Sequence, residues 1–260
     1  MNPSIDKTLR AQRDAGKKLL VPYVTGGLGK DWAQVLPALV EAGADAIEIG
    51  IPFSDPAMDG PTIQEASTKA LESGATPLSI FDDIMSVDVG SVPLIVMTYY
   101  NIAFHMGELR FASSLAGAGI SGAILPDLPL EESSEWERLA ANEGIETIFM
   151  AAPVTPDDRL VQIADRSRGF VYAVGLMGVT GERSGVAISA STMGKRLKAI
   201  TDKPVLIGFG VSTPVQAVEA CADADGVVVG SALVRRLLDA TDVEGPAKFI
   251  GEIRQALDNA

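Results

Sequence analysis

The sequence predicts an α/β fold, a (β/α)8 or TIM barrel with additional helices, in a single domain spanning residues 1–260, and three observations predict it. Short runs rich in Val, Ile, Leu and Ala recur from end to end, amphipathic stretches of helical period stand between most of them, and no low-complexity linker divides the chain. Strands alternating with helices require parallel pairing through right-handed crossovers. Eight such units in about 250 residues match a closed barrel better than an open doubly wound sheet, which is the competing arrangement.

The strand runs, in order, are "KLLVPYV", "DAIEIGI", "VPLIVMTY", "SGAILPD", "IETIFMA", "RGFVYAV", "KPVLIGF" and "DGVVVGS". The helical stretches include "DWAQVLPALVEAG", "ELRFASSLAGAG", "LEESSEWERLAANEG", "TPDDRLVQIADRS" and "TPVQAVEACADAD". Several helices end in Ala-Gly or Asn-Glu-Gly just before the next strand, as in "EAGADAI", "AGAGISGAI" and "NEGIETI", because glycine accepts the left-handed backbone of a helix C-terminus. Further helices are expected around Pro3 to Asp14, from Glu244 to Leu257, and at "TPLSIFDDIMSV", between the second and third strands.

Composition removes several classes of function. With 21 Lys and Arg against 34 Asp and Glu, the net charge of −13 disfavours nucleic-acid backbones and anionic membrane surfaces alike. The opening "MNPSIDKTLRAQRDAGKK" is charged throughout, and no apolar run approaches the roughly 18 residues of a membrane span, so a soluble cytoplasmic protein is expected. The single cysteine, Cys221, sits among alanines and reads as a small buried apolar group. His105 has no His or Cys partner at metal-ligand spacing and reads as a surface or loop residue, so no metal site is expected.

The stretch "AIEIGIPFSDPAMDGPTIQ", Ala46 to Gln64, carries the strongest chemical signal. Read with a period of two, it places Ile47, Ile49 and Ile51 on the helix-facing side and turns Glu48 into the barrel, near the carboxyl end of its strand, where barrel enzymes build their sites. The nearest basic residues along the chain are Lys30 and Lys69, so a salt bridge needs a distant partner, and burial is expected to raise the pKa of Glu48. The alternative is a strand-end glutamate hydrogen-bonded to loop backbone. The following loop adds Asp55 and Asp59 among Pro52, Pro56, Gly60 and Pro61, residues that restrict its shape. Either aspartate could instead cap the helix that begins near Pro61. Two carboxyls in different environments suit acid–base chemistry in which one is protonated while the other is ionised.

"VLIGFGVSTP" and "VVVGSALVRR" place glycine directly after the last two strands, and the second enters a helix through Ser231. Glycine allows close approach to the main chain and helix-start amides favour an anion, so a phosphate corner is expected, although ordinary turn chemistry also uses Gly and Ser. The glycine-rich "GLMGVTGERSG" after the sixth strand could close over the same anion.

"IEIGIPFSDPAMDGPTIQ", "VMTYYN", "LPDLPLEES", "FVYAVGLMGVTGER", "IGFGVSTP" and "GVVVGSALV", in this order and spacing, resemble the alpha chain of tryptophan synthase from about Leu19 to Arg236. The resemblance implies a barrel that cleaves indole-3-glycerol phosphate to indole and glyceraldehyde 3-phosphate with no cofactor of its own. It also implies a beta chain partner, which uses pyridoxal phosphate and receives the indole, in an alpha2-beta2 heterotetramer. By motif, Glu48 and Asp59 take the catalytic positions. Tyr172 takes that of the tyrosine near the substrate, Tyr23 and Phe209 those of aromatic groups near the indole, and Thr180 that of a loop threonine that orders the aspartate. Gly181, Gly210, Gly230 and Ser231 match phosphate-binding positions. Gly175, where a serine is often found, and Glu182, where a small residue is common, depart from the pattern.

Overall fold

The structure is a computed structural model that describes residues 2–174, 183–208, 210–240 and 242–260. Its strands are β1 (Leu19–Thr25), β2 (Ile47–Gly50), β3 (Leu94–Met97), β4 (Ile120–Ile124), β5 (Glu146–Thr147), β6 (Met150–Ala151), β7 (Val171–Val174), β8 (Val205–Gly208) and β9 (Gly226–Val229). The helices are α1 (Ile5–Asp14), α2 (Val35–Glu41), α3 (Pro61–Glu72), α4 (Pro77–Met85), α5 (Tyr100–Met106), α6 (Glu108–Gly117), α7 (Ser134–Asn142), α8 (Asp157–Arg166), α9 (Arg183–Lys198), α10 (Pro214–Ala220), α11 (Ser231–Asp239) and α12 (Glu244–Asp258).

The nine strand segments pair in parallel in the order β5-β4-β3-β2-β1-β9-β8-β7-β6. The two ends of that order are one stretch of chain, because β5 and β6 are halves of the fifth predicted strand. Ile148 N–H donates to Ala123 at 3.0 Å and Phe149 C=O accepts from Tyr172 at 3.1 Å, so the barrel closes across the interruption. The break arises where the Phe149 amide donates to the Ser167 hydroxyl, at 3.1 Å, in place of a neighbouring strand. The eight expected runs are therefore eight barrel strands, one of them split. The helices expected before the first strand, after the last and at residues 77–85 are present, and α5, in the segment "YYNIAF", is an additional short one.

Period-two alternation divides the core as the sequence requires. Leu20, Val24, Ile47, Ile49, Ile207 and Val229 face the helices, while Leu19, Val21, Ile95, Ile124, Leu206 and Val228 fill the lumen. At the N-terminal end of the barrel Ile5 and Leu9 of α1 enter that inner cluster, both fully buried. Glycines make room for Ile5, since a Cβ on Gly122 would lie 2.3 Å from its Cδ1 and one on Gly169 would lie 2.9 Å from its Cγ2. The start of α1 is held by Glu146, whose carboxylate accepts from Ser4 Oγ at 2.8 Å and from the Ile5 and Asp6 amides at 3.0 Å. That floor leaves the opposite, C-terminal end as the open mouth.

Candidate active site

Glu48 lies on β2 beside Tyr23 of β1 and Ile95 of β3, its strand register partners. It is fully buried, and neither carboxyl oxygen has a hydrogen-bond partner among the described residues. The alternative of a loop-bonded glutamate is therefore not what forms. Desolvation, and after it the charge of Asp59, pushes its pKa up to about 8, so the group is protonated at neutral pH. A buried neutral carboxyl with free valences is a proton donor waiting for an acceptor.

The loop after β2 brings the second carboxyl. Helix α3 begins at Pro61 with Gly60 as its N-cap and no side-chain cap, so neither Asp55 nor Asp59 serves the capping role. Asp55 is exposed and accepts from Ser54 Oγ at 2.6 Å. Asp59 is half-buried and accepts from the Tyr99 hydroxyl at 3.2 Å. Desolvation raises its pKa and the Tyr99 bond opposes that rise. The backbone around it is pinned, with Asp59 N–H on Pro56 C=O at 3.1 Å and Gln64 Nε2 on Asp59 C=O at 2.9 Å.

Two tyrosines share the lumen with Glu48, and each rests over a glycine. A Cβ on Gly50 would fall 1.9 Å from the Tyr23 hydroxyl, and one on Gly208 would fall 2.7 Å from the Tyr172 hydroxyl. Burial comes first in raising both phenol pKa values, followed by Asp59 and then Glu48 for Tyr23, and by Glu48 for Tyr172. Both are neutral hydroxyls grouped about the same acid. A cavity of about 300 Å³ opens next to β6, whose Met150 pairs with Tyr172, and its wall combines Met58, Leu125, Ile148 and Val174 with Asp127 and Arg159.

The predicted anion corner is assembled from adjacent strands, since β8 pairs with β9. Gly210 has φ +50°, which favours glycine, and a Cβ there would meet nothing within 4 Å. Gly230 is the N-cap of α11, and its Cβ position looks onto Tyr23 Cβ at 3.9 Å, linking the corner to the lumen. Ser231 opens the helix, so its amide and that of Ala232 have no acceptor within it. Phe209, Thr180 and Gly181, like Gly175 and Glu182, lie outside the described residues.

Outside the site, Cys221 is buried and its thiol is pushed up to about 12 by desolvation, consistent with an apolar role. His105 is exposed in the last turn of α5. Sequence reasoning missed Tyr99, Gly50 and Gly208 as site residues. The glycines carried a readable signal, since a glycine on the inward face of a strand marks close approach of another group. Tyr99 carried none beyond its place in "VMTYYN", because its bond to Asp59 spans forty positions of sequence.

The family model for the tryptophan synthase alpha chain matches residues 9–255. A tryptophan synthase alpha chain from a Picosynechococcus species is 41% identical over 261 residues, covering 98% of this chain and 99% of its own. One from Streptomyces coelicolor is 42% identical over 246 residues, covering 92% and 89%. Among solved structures, a Mycobacterium tuberculosis tryptophan synthase chain superposes with TM-score 0.90 at 35% identity, covering 99% of both chains. The Legionella pneumophila alpha chain gives 0.88 at 32%, covering 100% and 98%.

Proposed function

The chain belongs to the tryptophan synthase alpha chain family, and from that premise we propose that it is the lyase that cleaves indole-3-glycerol phosphate to indole and D-glyceraldehyde 3-phosphate. The observation that carries this reading is Glu48, buried, without partners among the described residues and with its pKa raised to about 8. Cleavage needs C3 of the indole to become tetrahedral, which puts positive charge on the ring nitrogen unless its proton is taken. Glu48 delivers its proton to C3 while the Asp59 carboxylate takes the N–H proton. Glu48, now a carboxylate, accepts the proton of the hydroxyl on the adjacent side-chain carbon as that carbon becomes an aldehyde. The electron pair of the broken carbon–carbon bond returns to the ring, and the ring nitrogen regains its proton from Asp59.

Tyr23 and Tyr172 flank the ring, and the family motif assigns Phe209 to the same duty. The phosphate sits at Gly210, Gly230 and Ser231, and the family motif assigns Gly181 to phosphate binding and Thr180 to ordering Asp59. At physiological salt the Debye length is roughly 8 Å, so the acidic surface is screened while amides at hydrogen-bond distance are not. The chain itself needs no cofactor in this scheme, and pyridoxal phosphate belongs to a beta chain partner in an alpha2-beta2 assembly. The rim bearing residues 52–60 and α5 faces that partner, and the indole passes to it for L-tryptophan synthesis. No helix of the described residues is long and apolar enough to cross a membrane, which suits a cytoplasmic enzyme. Indole release from indole-3-glycerol phosphate, followed with and without a beta chain, tests the reading. Release that rises with the partner is expected, and no release in either condition overturns it.

A further inference from the structure

We propose that Tyr99 is a positioning residue for this reaction: its hydroxyl, by accepting the Met58 amide and donating to Asp59, aims the Asp59 carboxylate at the substrate nitrogen. The inference rests on the reading of Asp59 given above. A phenol has one proton to donate and can also accept, and Tyr99 uses both capacities on neighbouring residues of one loop. Met58 N–H reaches its oxygen at 2.9 Å and the oxygen donates to Asp59 Oδ2 at 3.2 Å. Two anchors on one atom fix the main chain at Met58 and the direction of the next side chain together.

The atom is itself held on rigid structure. Tyr99 follows β3, is 7% exposed, and its ring stacks on Phe53, with centroids 5.1 Å apart and planes at 28°. The next residue is fixed as well, because Asp127 accepts from the Tyr100 amide at 2.7 Å at the start of α5. Phe53 and Met58 lie towards opposite ends of the loop that carries Asp59, so one ring clasps the loop twice. A loop aspartate would otherwise sample orientations that a strand residue such as Glu48 does not, and misplacement by about 1 Å can cost on the order of 10²-fold in rate.

The hydroxyl also acts on charge. Tyr99, from the end of β3, is the side chain that shifts Asp59, and Asp59 in turn faces Tyr23 of β1 and Glu48 of β2, whose pKa values its charge raises. Burial drives the Asp59 pKa up, and the donated bond from Tyr99 pulls it back, favouring the carboxylate that the ring nitrogen requires. Tyr99 itself is pushed up to about 12, chiefly by burial, so it remains a donor throughout the working range.

The test compares the full chain, in the presence of a beta chain, with Tyr99→Phe, Asp59→Asn, the double variant and Phe53→Leu, reading kcat, KM and the pH profile of indole release. Tyr99→Phe keeps the ring and its stacking and removes only the hydroxyl. The expected result is a kcat lower by roughly 10–100-fold with KM within about twofold, and an acidic limb displaced to higher pH because Asp59 loses the donor that favours its charge. Phe53→Leu should leave that limb in place, and the double variant should be no slower than Asp59→Asn. Tyr99→Phe with an unmoved acidic limb, or a double variant slower than Asp59→Asn, would reduce Tyr99 to loop packing and overturn the inference. Asp59→Asn with full turnover would overturn the underlying assignment of Asp59 and the inference with it, an outcome distinct from the other two.

Discussion

Asp45, just before β2, and Glu48, on β2 itself, are both buried, and the fold treats them in opposite ways. Asp45, at the N-terminal end, accepts from Lys17 Nζ at 2.7 Å, the Leu20 amide at 2.9 Å and Arg254 Nη1 at 3.3 Å. Arg254 also donates to Lys18 C=O at 2.7 Å, so this carboxylate ties α12 to the start of β1. Gly43 makes the space for it, with φ +96° and a Cβ position 2.6 Å from Arg254 Cγ. Glu48, three residues on, has no partner for either oxygen among the described residues. The same contrast holds for the barrel as a whole: Glu146 caps α1 at the floor, whereas at the mouth burial raises the pKa of both Glu48 and Asp59 and the charge of Asp59 adds to the rise at Glu48. One end of the barrel uses its charges for cohesion and the other holds a carboxyl with no partner among the described residues, the arrangement expected where stability and function are separated.

The largest effect that can break this comparison is on turnover. Glu48→Gln keeps the shape and cannot cycle a proton, so indole release should fall by about 10²–10⁴-fold, measured by single-turnover assay. Its effect on stability should run the other way. The folded pKa of Glu48 lies above the unfolded value near 4.5, so the stability this group contributes is full below that value and is lost as pH rises through about 8. In urea melts between those limits the native chain should lose up to about 1.4 kcal/mol per pH unit from this group, and Glu48→Gln should not. A variant that retains turnover and shows the native pH slope would erase the distinction between the two ends.

Asp45→Ala sharpens the comparison from the other side. It removes the buried carboxylate shared by Lys17 and Arg254, leaving Arg254, which is 7% exposed, with only Asp258 at its other nitrogen, and should destabilise the chain by about 3 kcal/mol in urea melts. The kcat of the molecules that remain folded should be unchanged within about twofold. A specific loss of turnover without loss of stability would mean that the floor also serves the chemistry.

These contrasts were unequally legible in the sequence. The strands announced themselves as apolar runs, and Glu48 could be turned into the lumen by parity alone, because the isoleucines on either side of it claim the outer face. The burial-raised pKa followed from the lack of nearby cations. The charges at the floor were not legible, since Asp45 meets Lys17, Leu20 and Arg254 only after the barrel closes and α12 returns to β1. The capping role for Asp59 was a fair local alternative that tertiary structure removed: Gly60 occupies the cap and Tyr99 draws the carboxylate elsewhere. Tyr23 and Tyr172 were reached through family resemblance, while the glycines beneath them needed the packing of adjacent strands to be seen. The split in the fifth strand depended on Ser167, which joins the ladder from the end of the following helix.

The central claim is that Glu48 is a protonated carboxylic acid at neutral pH. Carbon-13 NMR of glutamate-labelled protein, with Glu48→Gln used to assign the carboxyl resonance, measures this without reference to turnover. An apparent pKa of about 8, with the neutral carboxyl predominating at pH 7, is the predicted result. A Glu48 resonance that titrates near 4.5 and is fully ionised at pH 6 would contradict the account.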